Sequence, residues 1–311
     1  MLTAPALGAL RQAVPGANIT LVLAGPAGEM GPLFNAADEV LVWRNGGLNP
    51  GLLNRVRGLR PGLTLDFTGT DRSAFLSLLS GAPVRAGYEK FADGFLRRFA
   101  STVTCQAAVR DTHTIDFHHA LLSAAGVAAP PVADAGHLRL PTTMELPELP
   151  DSYLLVHLGT ARPEKFWPPE HWAALLDDLH ARHRMPMVLT GGDGEFEQEH
   201  IAAILSGTKA PVLDLRGKLN LRQLAGLIAK AKITVTVDTA AMHLAAAFNV
   251  PQVALFGPTN PFHWAPRHAR AVVLQAGTSA GGSLQPRQAG TAIRELSWET
   301  VAAAVDRLLE T

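Results

Sequence analysis

Ile233-Thr234-Val235-Thr236-Val237-Asp238-Thr239-Ala240-Ala241-Met242-His243-Leu244-Ala245-Ala246 changes character in its middle. The first five residues are all β-branched, as a buried strand requires. From Ala240 onward, small and apolar residues suit a helix. A strand that turns directly into a helix is the unit from which parallel α/β sheets are built. The turn leaves first-turn amides without intrahelical partners, at the positive end of the helix dipole, which suits a phosphate. Thr239 adds a hydroxyl donor, and Ala240 and Met242 belong to the same helix start. Asp238 would repel a bare phosphate, so it fits a helix cap or a partner for a sugar hydroxyl. His243, one turn later, could face the same cleft. An ordinary capped helix with a core histidine would leave the same residues, and the segment alone does not separate the two readings.

Outward from this segment, short β-rich runs alternate with stretches of helical period. Strands are expected at 153–157, 186–190, 212–215, 233–237 and 252–256. Helices are expected at 169–182, 195–205, 221–231 and 240–248, with a terminal helix at 297–310 behind a Ser297 cap. Such alternation implies a parallel sheet covered on both faces. The front half repeats the rhythm less cleanly, with strands at 19–23, 39–43 and 63–67. Residues 128–150 are rich in Pro and small residues and are read as a hinge. The chain therefore reads as two Rossmann-like, doubly wound domains, 1–145 and 151–311. The first opens on an amphipathic helix at 2–14 where such a domain normally opens on a central strand, so it is expected to lack that strand.

Composition supports two cores. The 311 residues exceed the usual span of one hydrophobic core, and 47% of them are apolar. Lys+Arg and Asp+Glu are equal at 27 each, so no bulk charge recruits nucleic acid. The single cysteine, Cys105, reads as a small core residue and fits a reducing compartment. Met1-Leu2-Thr3-Ala4-Pro5 lacks the features of a secretory signal, and no stretch has the roughly 20 apolar residues of a membrane span.

Three further loops end strands on the side where open α/β sheets bind ligands. In Thr160-Ala161-Arg162-Pro163-Glu164-Lys165-Phe166-Trp167, Lys165 could neutralise a diphosphate and Thr160 could donate to it, while Trp167 and Trp172 pack the helix start. In Gly191-Gly192-Asp193-Gly194-Glu195, the glycines, Gly192 among them, let a nucleotide approach backbone, and Asp193 or Glu195 could hold ribose hydroxyls. Phe256-Gly257-Pro258-Thr259-Asn260-Pro261 forms a rigid turn that could line the same pocket. A solvated lysine or a glycine that merely ends a strand would explain either of the first two by itself. Gly25, Gly28 and Gly31 are spaced by three and are not a dinucleotide fingerprint; Gly217-Lys218-Leu219 is not a P-loop. His113, Asp116 and His119 share a helix face, which accounts for them better than a metal does.

Taken together, Lys165-Phe166-Trp167-Pro168, Leu189-Thr190-Gly191-Gly192, Asp214-Leu215-Arg216-Gly217-Lys218, Leu221-Arg222-Gln223-Leu224-Ala225, the 237–246 segment and Val253-Ala254-Leu255-Phe256-Gly257-Pro258-Thr259 resemble the lipopolysaccharide heptosyltransferases, glycosyltransferase family 9. The matching segments run in family order over residues 154–266. The front half matches more loosely, through Leu2-Thr3-Ala4-Pro5, Asp66-Phe67-Thr68-Gly69 with Arg72-Ser73-Ala74, and His113-Thr114-Ile115-Asp116. The resemblance implies two Rossmann-like domains of the GT-B type with the ligand cleft between them. It implies inverting, metal-independent transfer of heptose from ADP-heptose to the lipopolysaccharide inner core, with no cofactor. Lys165, Asp238 and His243 would be catalytic. Thr160, Gly192, Asp193, Glu195, Thr239, Ala240 and Met242 would bind the nucleotide sugar. The lipid A-core acceptor would lie on the first domain, where Arg72, Arg55, Arg57 and Arg60 are candidates. Family members precede Leu-Thr-x-Pro with a strand and a Gly-Asp turn whose Asp is the proposed general base; it has no counterpart here, and a miscalled or truncated start is the expected reason. A nucleotide-sugar binding paralogue without activity, or less favourably a nucleotide-sugar epimerase, is the alternative. The expected place is the cytoplasm, with room for peripheral contact on the inner membrane.

Overall fold

The computed structural model describes residues 1–130, 132–278 and 282–310. Pro131, part of the expected hinge, lies outside them. The chain divides into two compact units, Leu2–Ala133 and Asp134–Thr311.

The first unit begins with helix α1, Ala4–Ala13, and among its described residues holds five short parallel strands. Strands β1, Thr20–Ala24, and β2, Glu39–Trp43, pair with each other; helix α2, Pro50–Leu59, follows. Strand β3, Leu63–Leu65, pairs with β4, Val84–Tyr88, which pairs with β5, Val103–Cys105. Helices α3, Asp71–Leu79, α4, Phe95–Ala100, and α5, Thr114–Ala124, complete the unit. In a doubly wound sheet a central strand would join such a pair and such a triple; among the described residues none does, so β1 and β3 each have one hydrogen-bonded neighbour. The three-residue glycine spacing has a packing explanation. A Cβ on Gly28 or on Gly31 would lie 2.4 Å from the side chain of Val42 or of Val40, so the 3-10 segment Gly25–Leu33 can sit flat on β2 only without those side chains. Cys105 is buried, and His113 caps α5 by accepting a hydrogen bond from the Ile115 amide.

The second unit is built on one parallel sheet. Its strands are β6, Leu154–His157, β7, Met187–Thr190, β8, Val212–Asp214, β9, Ile233–Val237, β10, Gln252–Phe256, and β11, Ala271–Gln275. They lie in the order β11-β10-β9-β6-β7-β8. Both faces are covered by α6, Pro169–His183, α7, Glu195–Gly207, α8, Leu221–Lys230, α9, Ala240–Ala247, and α10, Trp298–Leu309. The continuous β-branched and leucine runs of the central strands follow from burial on both faces. Trp167 and Trp172 meet edge to face at 4.8 Å, both fully enclosed, and Trp167 Nε1 donates to the Leu296 carbonyl at 2.8 Å. That bond fixes the loop after β6 against the start of α10, where Ser297 accepts from the Thr300 amide.

The connector belongs to the second unit. Asp134 pairs with Arg267 at 2.6 Å, the Gly136 amide donates to Ala247, and Met144 and Leu146 fill the space left by the missing side chain of Gly226. Residues 134–146 are thus tied to α8, the end of α9 and Arg267 of the second unit, and the division falls between Ala133 and Asp134.

Candidate active site

Strands β9, β6 and β7 are neighbours, so the loops that leave their carboxyl ends are neighbours too, although residues 160, 191 and 238 are far apart in the chain. They surround a cavity of about 420 Å3. Its floor is His157 and Gly159 on the β6 side and Thr190 and Gly191 on the β7 side, with Asp238, Thr239, Ala240 and Ala241 on the β9 side.

Local physical constraints shape each wall. A Cβ on Gly159 would approach the backbone of Gly191 and Gly192 at 3.0 Å, so the two loops touch only because these positions carry no side chain. Thr239 adopts extended geometry before α9 and makes no side-chain bond to the helix, while its hydroxyl lies 3.3 Å from that of Thr236. The first turn of α9 therefore enters the cavity without a side-chain cap, the arrangement that favours an anion. Lys165 ends a 3-10 turn, Pro163–Lys165. Its ammonium donates to Asp238 Oδ2 at 2.6 Å and to the Asp238 carbonyl at 2.9 Å. Both side chains are mostly enclosed, 15% and 10% exposed. Thr160 is buried beside them, its hydroxyl accepting from the Arg162 amide at 3.3 Å.

Of the residues singled out from sequence, Lys165, Thr160, Gly192, Asp238, Thr239 and Ala240 meet in this cavity. Four others are placed elsewhere. Met242 is fully buried in the core with Ala254, Phe256 and Ala265, because the second residue past Ala240 points into the sheet. Asp193 and Glu195 are exposed and do not line the cavity. The acid that does is Glu197, whose carboxylate folds over the loop, so that a Cβ on Gly192 would lie 2.1 Å from its Oε2. A helix start turns residues two apart to different sides, and that periodicity could have pointed from Glu195 to Glu197. His243 is half-buried one turn into α9 and is not among the lining residues.

Sequence reasoning also missed His157 and an apolar wall. The wall is made by Leu219, Leu221 and Leu224 where β8 leads into α8. Asn220 holds that helix start through a reciprocal cap with Gln223, its side chain accepting at 2.8 Å and the Gln223 side chain accepting at 3.1 Å. His157 ends β6, and burial pushes its imidazole down to about 4. In the first unit, Arg55 is bound to Glu39 at 2.8 and 2.9 Å and Arg72 stacks over Trp43, while Arg57 is exposed and Arg60 ends α2 in the left-handed region. Among the described residues, no group of three or more His, Cys, Asp or Glu side chains could hold a metal ion, and no helix is long and apolar enough to cross a membrane.

The sequence profile of glycosyltransferase family 9 (heptosyltransferase) matches residues 53–288, about three quarters of the chain. This chain belongs to glycosyltransferase family 9. The family-9 chain is a glycosyltransferase. It is 26% identical over 281 residues to lipopolysaccharide heptosyltransferase 1 of Escherichia coli strain K12, covering 83% of this chain and 84% of that protein. A 127-residue stretch is 32% identical to lipopolysaccharide heptosyltransferase 3 of Escherichia coli, covering 40% of this chain and only 37% of that protein. The solved structure of the E. coli heptosyltransferase WaaC with ADP superposes with a TM-score of 0.76 at 23% identity, over 99% of this chain and 95% of that one. At that identity the likeness establishes the fold.

Proposed function

We propose that this family-9 enzyme transfers heptose from ADP-heptose to the inner core of lipopolysaccharide, with inversion and without a metal. One observation carries the reading: Lys165 and the uncapped start of α9 face a single cavity that also holds a carboxylate and an apolar wall. A nucleoside diphosphate sugar matches each part. The leucines at 219, 221 and 224 offer a surface to the base, and Glu197 can accept from ribose hydroxyls. The α9 amides, Thr239 and Lys165 can donate to the diphosphate. Asp238 is then freed from Lys165 to accept from the sugar. WaaC, the solved relative, is described with ADP, which agrees with this assignment.

In the reaction the acceptor hydroxyl oxygen bonds to the anomeric carbon as the bond from that carbon to the β-phosphate oxygen breaks, and the hydroxyl proton passes to water. The electron pair leaves with ADP. The sugar passes through oxocarbenium character, and the charge growing on the leaving diphosphate is met by fixed donors in a partly enclosed cavity, where they act more strongly than in water. We assign the acceptor to the first unit, through Arg57, Arg60 and Arg72. Contact with the membrane that carries the acceptor would fall to exposed aromatics such as Phe95 and Phe99, which are 84% and 59% exposed.

The test is incubation of the enzyme with ADP-heptose and a heptose-free inner-core acceptor, with ADP release, product mass and anomeric configuration followed together. ADP release matched by an extended, inverted product, unchanged by EDTA, is the expected result. Retention of configuration, loss of rate in EDTA, or isomerisation of the donor without acceptor would each overturn the corresponding part.

A further inference from the structure

His157 has no role in the reaction as derived above, yet it occupies the centre of the cavity floor. Its register partners are Thr236 on β9 and Thr190 on β7, which puts it between the Lys165–Asp238 pair and the Gly191-Gly192 loop. It is 9% exposed. Nδ1 lies 3.0 Å from the Thr190 hydroxyl. Among the described residues Nε2 meets no partner, and it is not one of the sealed polar atoms, so it opens on the cavity that His157 lines.

The neighbouring Thr190 hydroxyl is the group that can set the tautomer of His157. The Thr190 hydroxyl has one proton and two acceptors in reach, His157 Nδ1 at 3.0 Å and the Val156 carbonyl at 3.5 Å. Donation along the shorter contact makes Nδ1 an acceptor. The ring proton then sits on Nε2, facing the cavity.

We propose that His157 is a diphosphate-binding residue, donating its Nε2–H to a phosphate oxygen of the bound nucleotide, and that Thr190 is the positioning residue that fixes this tautomer. The inference rests on the nucleotide-sugar reading of the cavity. Burial keeps the ring neutral, with its pKa pushed down to about 4, so it supplies a directed donor without adding a second cation beside Lys165. Such a donor discriminates position as well as charge, because a neutral N–H acts only along its own axis.

Calorimetric titration of the whole chain with ADP and, separately, with adenosine tests the assignment. His157→Phe keeps an aromatic ring and removes the donor; ADP should bind about tenfold more weakly while adenosine changes by less than about twofold. His157→Gln puts an amide N–H in the place of Nε2 and should recover ADP binding to within about threefold of the wild type. Nitrogen-15 spectra of the wild type should show His157 as the Nε2–H tautomer at neutral pH, and Thr190→Val should shift it towards Nδ1–H and weaken ADP but not adenosine. Thermal unfolding of each variant separates lost folding from lost binding. If the wild type binds ADP and His157→Phe binds it equally well, the role of His157 is refuted and the nucleotide reading stands. If the wild type binds no ADP, both fall. Equal losses for ADP and adenosine, or a wild-type Nδ1–H tautomer, overturn the phosphate assignment.

Discussion

Replacing Lys165 by alanine should weaken ADP binding far more than replacing its partner Asp238 by asparagine. The ammonium is held by Asp238 Oδ2 at 2.6 Å and by the Asp238 carbonyl at 2.9 Å, with both side chains largely withdrawn from solvent. A diphosphate must take that ammonium from the carboxylate or share it. A hydrogen bond to a charged group contributes about 1.5–3 kcal/mol. At about 1.4 kcal/mol per decade, Lys165→Ala should raise the Kd for ADP roughly 10- to 150-fold. Asp238→Asn keeps the shape and removes the competing charge, so ADP should bind at least as tightly as to the wild type, while kcat falls because the sugar loses its carboxylate. Water reaches the pair through the cavity, so Lys165→Ala should destabilise the fold by less than the about 3–5 kcal/mol expected for breaking a fully enclosed pair. Calorimetry with ADP, steady-state ADP release and thermal unfolding on the same preparations give the three quantities. If Asp238→Asn weakens ADP as much as Lys165→Ala does, the pair holds the fold together and Lys165 is not a phosphate ligand.

Two neighbouring glycines should behave differently. Gly159→Ala meets backbone of the adjoining loop at 3.0 Å and should lower Tm, whereas Gly192→Ala meets only the end of the Glu197 side chain and should leave Tm nearly unchanged while weakening both ADP and adenosine. Equal Tm losses would show that Glu197 is not free to move. On the far side of the same unit, burial pushes the Asp306 carboxyl up, but hydrogen bonds from Arg182 and His183 outweigh it and hold the group below its ordinary value. A depressed folded pKa stabilises the protein above the unfolded value of about 3.9, and that stability is lost as pH falls towards the folded value. The stability gap between wild type and Asp306→Asn, measured by denaturant titration, should therefore be full above about pH 5 and shrink below about pH 4. A gap that is flat across this range would rule out the pairing. Asp177 accepts from Thr208 Oγ1 and from the Lys209 and Ala210 amides at 2.6, 2.7 and 2.9 Å, so Asp177→Ala should cost about 1–3 kcal/mol of unfolding free energy. An unchanged denaturant midpoint would contradict this.

The strands at 233–237 and 252–256 could be located to the residue because the first is β-branched throughout and the second is apolar after Gln252, as burial on both faces favours. The α9 turn was legible for the same local reason: a strand, a polar pair and a helix former follow one another directly. Strands β4, β5 and β11 were not anticipated. Arg85 and Gly87 break the apolar run of β4, β5 has three residues, and β11 is a half-covered edge strand. Local pattern weakens where burial is partial.

What the sequence determined by itself was the alternation of elements and the direct strand-to-helix turn at 238–240, since each depends on neighbours within a few residues. Only the tertiary structure decided that the β6, β7 and β9 loops share one cavity, that Lys165 reaches Asp238 across 73 positions, that Glu197 and not Glu195 turns inward, and that His157 stands at the centre. The physical reason is that strand order and side-chain direction are settled by burial against distant parts of the chain, a condition that no local pattern of residues contains.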